Sequence, residues 1–158
     1  MSDLNIGDEA PDFTLPTDGD GEIALSAMRG RKVVLYFYPK DNTPGCTKES
    51  CAFNDDLAAF EGMNAQVVGL SKCSVKKHDN FKAKYGLQFP LASDEHGDVC
   101  ERYGVWQEKS MYGKTFWGIV RSTFLIDEDG KIEDVWRKVK VDGHVEAVRA
   151  AVEGDGAG

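Results

Sequence analysis

Two rhythms of apolar residues run along the chain. Residues 33–38, Val-Val-Leu-Tyr-Phe-Tyr, are an unbroken apolar and aromatic run, the pattern of a strand covered on both faces. Pro39 must stop that strand, because proline offers no N–H to a ladder. Pro44-Gly45 punctuates the polar turn after it. From there the rhythm changes. Apolar residues over 48–63 recur at helical spacing, so one helix is expected there, with Cys46 at its N-terminal end.

The same reading places the other elements. A short strand at 13–15, a turn at 18–21 and a return at 22–25 predict an N-terminal hairpin. Ser26 is expected to cap a single turn, 27–29, stopped by Gly30. Residues 66–71 read as a second buried strand. Ser74 caps a predicted helix over 75–85, and Gly86 ends it. A short strand is expected at 90–93, a short helix at 98–103 ended by Gly104, and irregular aromatic-rich chain over 105–114. Residues 116–126 predict a strand, firmest at 122–126, with Asp127-Glu128-Asp129-Gly130 turning into a returning strand at 131–138. A helix over 145–152 closes the pattern, and the glycine-rich 153–158 segment predicts a frayed tail. Strands alternating with helices, then a hairpin and a helix, fit an α/β fold with a mixed sheet. No repeat or linker divides it, so residues 1–158 are expected to form a single domain.

Charge narrows the partners. The chain has 158 residues and a formal net charge of −8, which argues against nucleic acid or an anionic membrane surface. No apolar run approaches the length of a membrane span. The N-terminus has neither a basic nor an apolar leader region, so the expected compartment is the cytoplasm. In that reducing setting four cysteines point to catalysis, metal binding or inert packing rather than to a disulfide framework.

Cys46 carries the chemistry. A helix start offers unpaired N–H groups and the positive end of the dipole, and that setting favours thiolate, the nucleophilic form. Cys51 lies on the same predicted helix and reads either as a small core residue or as a resolving partner. Five residues of helix rise about 7.5 Å, whereas a disulfide holds its Cα atoms roughly 4.4–6.8 Å apart. The two therefore cannot bond unless the first turns unwind. Thr43 reads either as a turn residue or as a hydroxyl donor to the thiolate or to a bound oxyanion. Arg121, in an otherwise apolar strand, needs an anionic partner, and a carboxylate or a thiolate serves equally well. Cys73 is expected to be partly exposed and Cys100 to sit in the core. His78, His96 and His144 are scattered and expected at the surface. Cys-x4-Cys begins like an iron–sulfur pattern, but the needed Cys-x2-Cys is missing, and no zinc spacing occurs. Glycine-rich phosphate loops are absent, so neither a nucleotide nor a flavin cofactor is indicated.

The stretch Tyr38-Pro39-Lys40-Asp41-Asn42-Thr43-Pro44-Gly45-Cys46-Thr47 resembles the peroxiredoxin motif Pro-x-x-x-Thr-x-x-Cys. With Cys51, Ser93-Asp94, Gly113-Lys114-Thr115 and the run Arg121-Ser122-Thr123-Phe124-Leu125-Ile126-Asp127, the likeness is to the peroxiredoxin Q group, also called bacterioferritin comigratory protein. The resemblance implies a thioredoxin-like fold, with helices flanking the mixed sheet and the hairpin as an N-terminal extension. It also implies a monomeric thiol peroxidase. Cys46 would then be the peroxidatic cysteine, Thr43 and Arg121 would orient the peroxide, and Pro39 would shield the site. Cys51 would resolve the sulfenic acid as an intramolecular disulfide, and thioredoxin or a similar dithiol would restore both thiols. Relatives that resolve from the next helix carry a cysteine where this chain has Ala83, and Cys73 stands where relatives often have an acidic residue. Two other readings compete. A thioredoxin-type disulfide oxidoreductase would need Cys-x-x-Cys, which is missing. A redox-responsive binding protein would need a slowly reacting Cys46.

Overall fold

The computed structural model describes residues 4–154. Seven of the described strands form one sheet. They are β1 (Thr14–Thr17), β2 (Gly21–Ala24), β3 (Lys32–Phe37), β4 (Ala65–Ser71), β5 (Leu91–Ser93), β8 (Ser122–Ile126) and β9 (Ile132–Arg137). Their order across the sheet is β2-β1-β5-β4-β3-β8-β9. β3, β4 and β5 run parallel to one another, while β8 is antiparallel to β3 and β9 to β8. The hairpin β1–β2 joins the far edge through an antiparallel pairing with β5. A separate two-stranded ribbon consists of β6 (Trp106–Met111) and β7 (Lys114–Ile119). The helices are α1 (Pro44–Asp55), α2 (Leu57–Gly62), α3 (Val75–Tyr85), α4 (Val99–Arg102) and α5 (His144–Gly154).

The strand predicted from the first apolar run is the middle of this arrangement. β3 is buried along its whole length because β4 and β8 flank it and both sheet faces are covered. Its side chains alternate between two cores, as the two-residue period requires. Val33, Leu35 and Phe37 pack with Phe13, Tyr103 and Phe124. Val34, Tyr36 and Tyr38 pack on the other face with Phe53, Phe60, Phe81 and Cys46. The strand ends at Phe37, just ahead of Pro39, and the last ladder-like bond is from Tyr38 N to Leu70 O. That rigid end aims the chain at the turn carrying the cysteine.

Four expectations need correction. The helix predicted over 48–63 begins at Pro44 and breaks at Asp56, whose backbone leaves the helical region (φ −99°, ψ 8°) and whose carboxylate takes a hydrogen bond from Arg149 of α5 at 2.9 Å. The irregular segment expected at 105–114 and the single strand expected at 116–126 are instead a hairpin followed by a break. Tyr112 and Gly113 both adopt positive φ (54° and 78°) and turn β6 into β7. Tyrosine is unusual at such a position, so the turn lacks the usual Asn-Gly or Asp-Gly signal. Ser26 does not cap a helical turn. A short 3-10 turn spans Leu25–Met28 without a side-chain cap, and the Ser26 N–H donates to Asp12 instead. The last helix starts at His144 and extends through Gly154 into the expected tail. Residues 155–158 of that tail lie outside the described residues.

Candidate active site

Thr43 is the N-cap residue of α1 and Pro44 its first helical residue. The first bond within the helix runs from Thr47 N to Thr43 O at 2.8 Å. The N–H groups of Gly45 and Cys46 therefore have no acceptor within the helix and point out of its positive end. Cys46 sits among them with only 1% of its surface exposed.

Arg121 reaches this sulfur from the break between β7 and β8. Its Nη2 donates to Cys46 Sγ at 3.3 Å, and its Nη1 donates to Glu49 Oε1 at 2.6 Å. Arg121 thus meets both a carboxylate and the Cys46 sulfur. Burial works against the Arg121 charge, but Glu49 and Cys46 outweigh it and raise the pKa above the ordinary arginine value. Gly45 permits the approach. A Cβ there would stand 3.2 Å from Arg121 Nη2.

Glu49 joins this candidate site without having been expected there. It lies one turn after Cys46 on the same face of α1, and that spacing of three was the available signal. Its side chain is fully buried. Burial pushes its carboxyl up to about 7 against the pull of Arg121. Its Oε2 has no hydrogen-bond partner among the described residues. His144, expected at the surface, is buried beside the same cluster. Its Nε2 shares a 2.8 Å hydrogen bond with Thr123 Oγ1. Burial, and then the Arg121 charge, lower its pKa to about 4, so it is neutral at ordinary pH. His78 is buried too, whereas His96 is exposed as expected.

The remaining predicted residues fall around this centre. Thr43 Oγ1 donates to Lys40 O at 2.9 Å, so in this state it braces the turn rather than touching the sulfur. Pro39 is half-buried directly after Tyr38. Cys51 is half-buried on α1, and all four cysteines are unpaired. Burial, and then Asp55, push the Cys51 thiol up. Cys73 is buried at 8% exposure rather than open to solvent, and Cys100 is in the core as expected. Burial strongly raises the Cys100 thiol. No helix of the described residues is long and apolar enough to cross a membrane.

A buried sulfur between helix N–H groups and a guanidinium lies where negative charge on a reacting oxygen would be stabilised. The model of the AhpC/TSA family matches residues 6–135. A putative peroxiredoxin Bcp of Coxiella burnetii is 54% identical over 92% of this chain and 96% of its own length. The chain belongs to the AhpC/TSA family. Peroxiredoxin Bcp of Xanthomonas campestris is 47% identical over 97% of both chains. A solved structure of the Xanthomonas campestris bacterioferritin comigratory protein, studied for its alkyl peroxide reduction activity, matches with a TM-score of 0.89. It shares 45% identity and covers 96% of this chain and 99% of that one. A cysteine mutant of PrxQ from Xylella fastidiosa matches at a TM-score of 0.93 and 44% identity, with 99% of each chain covered. Within the family this is a peroxiredoxin of the Bcp, or Q, group with a thioredoxin-like fold. It is a thiol-dependent peroxidase, whose substrates are a peroxide and a thiol reductant.

Proposed function

We propose that Cys46 is the peroxidatic cysteine and Cys51 the resolving one. The observation that carries this reading is the 3.3 Å contact of Arg121 Nη2 with Cys46 Sγ at the start of α1. The Cys46 thiolate attacks one oxygen of a hydroperoxide and the O–O bond breaks. The departing oxygen leaves as water or alcohol after taking a proton, and the sulfur becomes sulfenic acid. Arg121 and the N–H groups of Gly45 and Cys46 stabilise the oxygen that gains charge. Glu49 holds the guanidinium in place. Thr43 and Pro39 shape the turn and limit access.

The second step needs motion. Both cysteines lie within α1, and five helical residues separate Cα atoms by more than the roughly 4.4–6.8 Å of a disulfide. The buried side chains of α1 are Cys46, Glu49, Ser50 and Phe53. Of these only Phe53 is large and apolar, so the first two turns unwind without exposing a large apolar side chain. Unwinding also removes the burial that raises the Cys51 thiol. Its thiolate then attacks the sulfenic sulfur, and the oxygen leaves as water. A dithiol such as thioredoxin reopens the disulfide through a mixed disulfide. Hydrogen peroxide and organic hydroperoxides are both taken as substrates, and the enzyme works as a single-domain cytoplasmic monomer in antioxidant defence.

Stopped-flow oxidation followed by steady-state turnover with thioredoxin tests the assignment. Cys46→Ser is expected to lose all turnover while keeping the fold. Retained turnover would move the chemistry to another sulfur. Oxidation of the wild type as slow as that of free cysteine would instead favour a redox-responsive binding protein.

A further inference from the structure

A second buried polar cluster lies at the foot of the turn that leads into α1. It joins Tyr38 and Asp41 of that turn to His78 of α3 and Ala92 of β5. His78 Nε2 lies 3.0 Å from Ala92 O. A carbonyl only accepts, so Nε2 carries a proton. His78 Nδ1 lies 2.6 Å from Asp41 Oδ2, and Tyr38 OH donates to Asp41 Oδ1. A single buried proton therefore bridges the imidazole and the carboxylate. The Asp41 N–H donates to Cys73 Sγ at 3.3 Å. Asp41 is thus held at both its side chain and its backbone, and the His78 and Asp41 side chains are 0% and 4% exposed.

Beyond Asp41 the turn is held at its exposed side, where Asn42 Oδ1 accepts from Tyr85 OH at 3.0 Å and Lys84 Nζ at 3.4 Å, both of α3. Asn42 takes a left-handed conformation (φ 61°). Thr43 bonds back to Lys40 O and then caps α1. Asp41 is the buried anchor of this turn, and Asn42 is an exposed one. A buried polar network adds little net stability compared with apolar packing, but its directional bonds select one geometry.

We propose that His78 is a positioning residue for the peroxidase cycle. Through Asp41 it pins the 40–43 turn to α3 and β5. The first turns of α1 then unwind from a fixed base and re-form on it when the disulfide is reduced. This deepens the function proposed above and rests on closure of Cys46 with Cys51. Without the pin the folded, peroxide-reactive geometry loses ground to the unwound one. Peroxide attack then slows while disulfide closure speeds up, a split that general destabilisation of a rigid scaffold does not produce.

Single-turnover kinetics on the full chain test this, with hydrogen peroxide as the oxidant. His78→Leu is expected to slow Cys46 oxidation by up to about 10²-fold, the scale of a misplaced reacting group, and to raise the closure rate. Tyr38→Phe, which removes one of the two donors to Asp41, shifts both rates in the same opposed directions by less, and carries the test if His78→Leu does not fold. Asp41→Asn is the conservative variant. Its amide still accepts from Tyr38 and donates to a neutral His78, so both rates stay close to those of the wild type. Both rates falling together, unchanged rates in Tyr38→Phe and His78→Leu, or Asp41→Asn as impaired as His78→Leu would each overturn the proposal. Peptide mapping of the oxidised wild type separates the two levels. A Cys46–Cys51 link with unaltered variant rates overturns this inference alone, and the lack of that link overturns the reading beneath it.

Discussion

α1 and α3 are similar in length and both come after a buried parallel strand, yet they are built for opposite tasks. α3 is tied at both ends. Ser74 Oγ accepts from Lys77 N at 3.2 Å at its start, and Gly86 closes it in the left-handed conformation (φ 64°). His78 and Phe81 anchor its buried face. α1 lacks a side-chain cap, because the Thr43 hydroxyl is turned back to Lys40. Its first two turns are held by polar groups. Arg121 contacts Cys46 and Glu49, and Tyr36 OH shares a 2.7 Å hydrogen bond with Ser50 Oγ. Its apolar anchor, Phe53, stacks on Tyr36 at 4.7 Å between ring centroids, close to the helix end. Burying such a side chain contributes roughly 1.5–3 kcal/mol. The lesson is that two neighbouring parallel strands lead into helices of opposite character, and the reactive residues lie where polar bonds, which re-form readily, replace apolar burial.

The largest break in that comparison comes from Cys51→Ser. The variant should consume one peroxide per chain and then stall with thioredoxin, which a peroxide-consumption assay reads directly. Full turnover would assign resolution to Cys73, Cys100 or an outside thiol. Arg121→Met comes next. It removes the donor to Cys46 and leaves Glu49 unpaired, so the peroxide rate constant should fall by about 10²–10³, the usual cost of losing one oxyanion donor. A loss below tenfold would show that the helix N–H groups suffice.

The pH dependence of stability gives a smaller, signed effect. Glu49 has its pKa raised from 4.5 to about 7 in the folded chain. The folded state therefore binds the proton more tightly, and this stabilisation is fully present below pH 4.5 and lost as the pH rises through about 7. His144 acts the other way. Its pKa falls from 6.5 to about 4, so its contribution is present above pH 6.5 and lost as the pH falls through about 4. Subtracting the Glu49→Gln denaturation series from the wild-type series cancels His144. The difference should decline from pH 4.5 to 7, and a flat difference would contradict a buried, proton-holding Glu49. The smallest effect belongs to the fixed helix. Ser74→Ala should cost about 1 kcal/mol of stability, the usual loss of an N-cap, with peroxide and closure rates unchanged. A change in either rate would mean that α3 is not the static partner.

How legible these two helices were in the sequence depends on the kind of signal each carries. Ser74 and Gly86 are local punctuation, and they placed α3 at its observed bounds. The strand end and Pro44-Gly45 likewise placed Cys46 at a helix start. The break at Asp56 was not legible, because its cause is Arg149, far along the chain. The β6–β7 ribbon was hidden by a tyrosine in a turn position that normally signals asparagine or aspartate. That error mattered, because the break after β7 is what delivers Arg121. The burial of His78 and His144 depends on Asp41, Ala92 and Thr123, contacts that no periodicity encodes. Glu49, three residues after Cys46 on one helix face, is legible from its spacing.

Hydrogen exchange combined with peptide mapping, before and after one equivalent of hydrogen peroxide, tests the division of labour between the helices most directly. The account predicts a single new link between Cys46 and Cys51, with amide protection lost over 44–51 and kept over 75–85. A link to Cys73 instead, or protection over 44–51 that survives oxidation, would contradict it.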